Sequence, residues 1–181
     1  QYTLIGAKRV ALTIDGLKIP ICKPGCNDRQ SAFYNGWTSG HYNITNVFVF
    51  APDGRIVAMV VNAPGAMHDS TLMDMGGLYE KMHEWATKYD IRMVVDSAFQ
   101  CVNRPYFIQS LQDNKSTANK EDFGEYSLHL QETSFCQYAE WGMRGFQASF
   151  PCCKDKMRFE EHGERAMLLQ LLTRLYNFRC S

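Results

Sequence analysis

The segment "NITNVFVFAPDGRIVAMVVN", residues 43–62, restricts this chain more than any other. Two runs rich in β-branched and aromatic residues flank Pro52-Asp53-Gly54, and a turn of that kind between such runs specifies an antiparallel hairpin. A chain committed to that hairpin must cover its apolar side chains with a second layer. Upstream, "RVALTIDGLKIPI" from Arg9 to Ile21 sets Val10, Leu12 and Ile14 against Ala11, Thr13 and Asp15. Period two over that length predicts a third strand, with Asp15 turned away from the larger apolar residues and Gly16 marking a bend. The intervening stretch, Lys23 to Gly40, is rich in Gly, Pro, Asn and Ser and reads as loop. The first third of the chain is thus three antiparallel strands.

The pattern then changes. "NAPGAMHDS" reads as a turn, and a helix is expected from Asp69 or Ser70 to Lys88. Leu72, Met75, Tyr79, Met82 and Ala86 recur in it at spacings of three or four, which marks one apolar face. "IRMVV", residues 91–95, is short and lacks alternation, as in a strand covered on both faces. Strand, helix, strand is a crossover unit, here joined to an antiparallel edge. The fold class is therefore α/β, a mixed sheet of three antiparallel strands followed by parallel ones and flanked by helices. Residues 109–137 are polar with little periodicity and read as a loop or insertion holding at most one short element. A helix resumes at Tyr138, where Ala139, Met143, Phe146 and Phe150 form one stripe and Glu140, Arg144 and Gln147 its neighbour, and Pro151 ends it. A last helix, about Glu160 to Phe178, carries Leu168, Leu171, Leu172 and Leu175 on one face.

At 181 residues the chain is expected to be a single domain, 1–181, with the polar insertion inside it. It opens on Gln1 and enters strand-like sequence almost at once, so an upstream portion is expected to be missing. Its 19 basic and 19 acidic side chains cancel, which argues against gripping nucleic acid by bulk charge and leaves only a local basic patch. Seven scattered cysteines fit reduced thiols better than a disulfide framework, and no spacing suggests structural zinc. No apolar run approaches the ~18 residues of a membrane span, so no membrane partner is expected.

Three acids stand in informative places: Asp15 on the first strand, Asp96 at the end of "IRMVV", and Glu140 beside an apolar helix face. A buried carboxylate is costly without a partner, and carboxylates brought together repel unless a cation separates them. Oxygen ligands of this kind suit Mg²⁺ or Mn²⁺, and a pair of such ions can activate water and stabilise the leaving oxygen of a phosphodiester. Other residues carry two readings each. Asp69 fits a helix N-cap or a supporting metal or DNA role. His68 beside it fits a loop or packing histidine better than a ligand. Arg144, one turn after Glu140, fits an i,i+4 ion pair or a phosphate contact. Lys154, Lys156 and Arg158 fit solvated surface or a phosphate-tracking patch. Trp37 and Trp141 fit core or edge packing ahead of base stacking, and Cys152-Cys153 reads as inert.

"IDGLKIPI", "FYNGW", "APDGRIVAMVVNAPGAMHDS", "VVDSAF" and "AEWGMRGFQASFP" occur in the order seen in the DDE superfamily endonucleases of the PIF/Harbinger transposase type, which the chain resembles from about Arg9 to "RLYNFR". The resemblance implies an RNase H-like fold and an Asp-Asp-Glu triad, Asp15, Asp96 and Glu140, that binds two divalent cations to cut and join DNA. It also implies DNA as partner (transposon terminal repeats or host DNA), an upstream DNA-binding region, a separate Myb-like DNA-binding protein, a homo-oligomer and a nuclear location. The chain departs from the family pattern at Leu17-Lys18, where Thr-His is frequent, at Val95, where Gly is common, and at Phe99, where Tyr is. None of these removes a carboxylate. Two other functions stay open: a domesticated, non-cleaving interaction module, and an RNase H-like hydrolase acting on RNA or hybrids.

Overall fold

The computed structural model describes residues 3–5, 8–36, 41–109, 123–158 and 162–180. Its strands are β1 (Thr3–Ile5), β2 (Lys8–Pro20), β3 (Tyr34–Asn35), β4 (His41–Phe50), β5 (Ile56–Pro64), β6 (Arg92–Val95) and β7 (Phe107–Gln109). The helices are α1 (Asn27–Phe33), α2 (Asp69–Met75), α3 (Leu78–Tyr89), α4 (Phe123–Ser149) and α5 (His162–Arg179), with a 3₁₀ turn at Pro151–Cys153.

The strands join one mixed sheet in the order β5-β4-β2-β6-β7, with β3 beside β4 and β1 beside β2. β2, β4 and β5 run antiparallel, Ile14 facing Val49 and Phe48 facing Met59. β6 lies parallel to β2, and β7 parallel to β6. This is the RNase H-like arrangement, with β2 central and both of its edges paired. On one face Leu12, Ile14, Val47, Val49, Met93 and Val95 meet Leu72, Met73, Leu78, Tyr79 and Met82 of α2 and α3. On the other, Phe48 and Phe50 meet Ala139, Met143 and Phe146 of α4 and Leu169, Leu172 and Tyr176 of α5. Phe146 is fully buried with its ring centroid 5.3 Å from that of Phe48, and burying one such side chain contributes roughly 1.5–3 kcal/mol.

Several sequence expectations are corrected. Val10 does not share a face with Leu12 and Ile14. The pairing of β2 with β6 slips between Val10 and Leu12, and such a bulge reverses the side-chain alternation. Val10 therefore packs with Val94, Ile108 and Phe135 on the α4 side. The stretch from Lys23 to Gly40 is not all loop, since it holds α1 and β3; Trp37 falls outside the described residues. The helix expected from Asp69 to Lys88 is two helices broken at Gly76-Gly77. Gly77 has φ +64°, and a Cβ on Gly76 would come within 2.2 Å of the Val60 side chain. Met75, next to the break, is exposed, while Leu72, Tyr79, Met82 and Ala86 are buried as the pattern predicts.

Residues 123–137, read as part of a polar insertion, are the first half of the 27-residue helix α4. Phe135, four residues before Ala139, is buried and extends the same stripe. Residues 110–122 lie outside the described set, as does the expected helix start at Glu160. On α5 the leucine face is misassigned: Arg165, Leu169, Leu172, Thr173 and Tyr176 are buried, whereas Leu168, Leu171 and Leu175 are not. The buried face of α5 includes Arg165, whose Nε donates to Asn62 Oδ1 at 3.1 Å and whose Nη1 donates to the Arg158 carbonyl at 2.6 Å. Asn62 in turn donates from its backbone N–H to Asn46 Oδ1, so a polar network ties α5 to β4 and β5. All seven cysteines are free thiols. No described helix is long and apolar enough to cross a membrane.

Candidate active site

β2 and β6 are side by side with Ile14 paired to Val95. Both residues point into the α2–α3 layer, so the next positions, Asp15 and Asp96, belong to the opposite face. Helix α4 crosses that face. Its stripe of Ala139, Met143 and Phe146 is buried in the sheet, which leaves Glu140 turned toward the strand ends. A cavity of ≈ 490 Å³ is lined by Asp15, Asp96 and Glu140 together with Thr13, Trp141 and Arg144. The close seating of α4 depends on Gly142, where a Cβ would come within 2.6 Å of the Phe50 ring.

Asp15 and Asp69 are the acids whose ionisation the site opposes. Burial pushes the Asp15 carboxyl up from 3.8 to about 7; Asp96, Asp69 and Glu140 add to this, and the Gly16 N–H, donated to Asp15 Oδ1 at 2.7 Å, offsets part of it. The Asp69 carboxyl is also raised, by burial and by Asp96, against the opposing charges of Lys18 and His68.

Asp69 is not a helix cap. The cap position of α2 is the exposed His68, with no side-chain capping bond, and Asp69 opens the helix proper. Its carboxylate instead lies against Gly16, where a Cβ would stand 2.3 Å from Asp69 Oδ2. Its Oδ1 is buried with no hydrogen-bond partner among the described residues. Asp69 is thus a fourth acid at this end of the sheet, and its approach explains why position 16 is glycine. Thr13, which the sequence reading passed over, is 2% exposed, lines the cavity, and has a hydroxyl without a hydrogen-bond partner among the described residues. The signal for it was present, because Thr13 and Asp15 are two apart on one strand and share a face.

Asp15, Asp96 and Glu140 are each turned onto a local donor. Asp96 Oδ1 accepts from the Ser97 N–H, and Glu140 Oε2 lies 3.6 Å from Arg144 Nη2 in an exposed i,i+4 pair. Such a pair contributes only ~0.3–0.5 kcal/mol. As placed, no three His, Cys, Asp or Glu groups among the described residues stand close enough to hold a metal ion. The donor chemistry nonetheless suits a hard cation, since the acids lining the cavity offer oxygen ligands and Asp15 resists ionisation without a neighbouring positive charge. Two other candidates are elsewhere or differently placed. Lys154, Lys156 and Arg158 are exposed around Met157, which bridges to Ile21, about 20 Å along the strand direction from Asp15. Trp141 is exposed at the cavity and not packed in the core.

A cavity lined by one acid within the central strand β2, one just past the end of the parallel strand β6 and one on α4, in an RNase H-like sheet, is a framework suited to phosphodiester chemistry. The sequence profile of the DDE superfamily endonucleases matches residues 14–177, and the chain belongs to that family. That family is of nuclease or transposase type and acts on DNA. Comparisons with curated proteins and with solved structures gave no match.

Proposed function

We propose that this chain is the catalytic domain of a Harbinger-type transposase, in which Asp15, Asp96 and Glu140 hold divalent cations, Mg²⁺ or Mn²⁺, and cut and join DNA strands. The observation that carries the proposal is that three acids from two strands and one helix line one cavity. When bound, a pair of such ions supplies a Lewis acid for the phosphodiester and lowers the pKa of an attacking water or 3′-hydroxyl. The protein's part is positional. Asp15 is held in the β2–β4 ladder opposite Phe48, and Asp96 directly follows the last β2–β6 pair, Ile14–Val95; rigid placement of this kind matters because small displacements cost large factors in rate. Glu140 must leave Arg144 to join them, at little cost because both side chains are exposed. Arg144, once released, can meet a phosphate oxygen. Asp69 supports the site from the far side of Gly16. The balanced net charge suits a catalytic domain whose target choice comes from other DNA-binding parts, an upstream region or a Myb-like partner, working in the nucleus.

The test is cleavage of terminal-repeat DNA in Mn²⁺ by wild type and Asp96→Ala. We expect cutting by wild type and a loss of at least ~10³-fold in the variant. Equal cleavage by both would sink the catalytic assignment. A second reading is a domesticated module that no longer cleaves; among the described residues no three His, Cys, Asp or Glu groups converge within metal-holding distance as placed. On that reading wild type and Asp96→Ala are equally inert, and Mn²⁺ does not bind to the acids.

A further inference from the structure

Helix α4 presents more to the cavity than Glu140. Phe135, Ala139, Met143 and Phe146 bury one side of it. On the adjoining side Tyr138 and Trp141 are 45% and 58% exposed, their rings meeting edge-on at 5.6 Å. Tyr138 also meets the buried Phe135 at 5.5 Å, so the aromatic pair is anchored to the core at one end and open at the other. An indole sandwiched on both faces could not retain that exposure. Isolated exposed aromatics are common on protein surfaces. What distinguishes Trp141 is position: it lines the same cavity as Asp15, Asp96, Glu140 and Arg144. The fold gains little from the ring, and a smaller side chain there would leave no hole in the core.

Building on the nuclease reading, we propose that Trp141, braced by Tyr138, is a base-stacking site that holds an unpaired nucleobase beside the phosphate entering the acid cavity. Within a duplex each base face is covered by its neighbours, so an aromatic ring at a phosphate-processing site can stack only on a base that has left the helix. The neighbouring charge fits this ligand. Arg144 is 76% exposed, makes a 3.6 Å contact to Glu140, and lies one turn along α4 from Trp141, a spacing that suits the phosphate attached to the stacked base. The cavity, at ≈ 490 Å³, falls in the range that holds a small ligand of nucleotide class. The preferred substrate is thus DNA that is locally open at the scissile phosphate, at a frayed end, nick or bulge.

The experiment measures affinity, not cutting. Fluorescein-labelled duplexes, one fully paired and one with a single unpaired thymine, are titrated with the full chain in Ca²⁺, whose looser coordination suits binding over in-line attack. Wild type is expected to bind the unpaired duplex about ten-fold more tightly. Trp141→Ala should bind both duplexes alike, with unchanged melting, and Trp141→Phe should recover most of the preference. No preference in wild type, or a preference that Trp141→Ala keeps, overturns the proposal; the latter would assign the exposed pair to protein contacts. Failure of the nuclease reading shows separately, as equal cleavage by wild type and Asp96→Ala.

Discussion

Asp15 and Gly16 hold opposite consequences for stability. The Asp15 carboxyl titrates near 7 in the folded chain against 3.8 ordinarily, so the folded protein keeps a proton that the unfolded chain has already released. Its contribution is full below about pH 4 and is lost as the pH rises through about 7, a swing of ~2–4 kcal/mol. Asp15→Asn removes that titration. In the absence of divalent metal, the variant should therefore melt higher than wild type at pH 8 and close to it at pH 4; an equal difference at both values would mean that Asp15 is not the strained acid. Gly16 is a steric matter. Gly16→Ala sets a methyl against the Asp69 carboxylate and should cost ~1–3 kcal/mol in urea unfolding. Asp69→Ala in the same chain should recover most of that loss, because the two sites are in contact and their effects do not add. At this scale the sequence was partly legible. Asp15, Asp96 and Glu140, which line the cavity, stand out in the sequence as an acid within a strand, an acid after a strand and an acid beside an apolar stripe. The reason for Gly16 does not, because it is a contact with a residue on another layer, and Asp69 looked like a cap only while that contact was out of view.

The elements set how well those acids are placed. Helix α4 meets β4 without a side chain between them at Gly142, and its Glu140 is two residues away. Gly142→Ala must push α4 off the Phe50 ring or displace that ring, and movement of α4 shifts Glu140 relative to Asp15. We expect a loss of ~1–3 kcal/mol in stability and, on the proposed function, a fall in Mn²⁺-dependent cleavage larger than the fraction unfolded explains. Activity that simply follows the folded fraction would show that α4 tolerates the shift. Arg165→Ala is the complementary case on α5: it removes the bonds to Asn62 and Arg158, and the expected cost is ~2–4 kcal/mol, seen as a lower melting temperature. The hairpin, β2, β6 and the end of α4 at Pro151 were readable because their signals are local: period, turn residues and a proline. The errors share one cause. The bulge between Val10 and Leu12, the break at Gly76-Gly77 and the face that α5 buries are all decided by what packs against the element, and no window of sequence contains that partner.

For the whole molecule, charge is the organising quantity. The chain as a whole is neutral, yet its sheet and α4 bring Asp15, Asp96 and Glu140 to one cavity with Asp69 behind Gly16. Acid concentrated there is balanced by base elsewhere, including Lys154, Lys156 and Arg158 near the far end of β2. Without a cation the cavity repels the phosphate it is proposed to process, so metal binding should precede and strengthen DNA binding. It should also stabilise the fold, because the unfolded chain does not hold these acids together. Free Mn²⁺ at a hundred times its dissociation constant adds ~2.7 kcal/mol to stability, which for a chain of this size is roughly 5–11 °C in melting temperature. That shift should be absent from Asp96→Ala, and smaller at pH 6 than at pH 8 because protons compete for Asp15. A shift of equal size in Asp96→Ala would locate the ion outside this cavity, and no shift in wild type would favour the non-cleaving reading. DNA affinity provides the second half of the test: in wild type it should rise when Mn²⁺ is added, and in Asp96→Ala it should not.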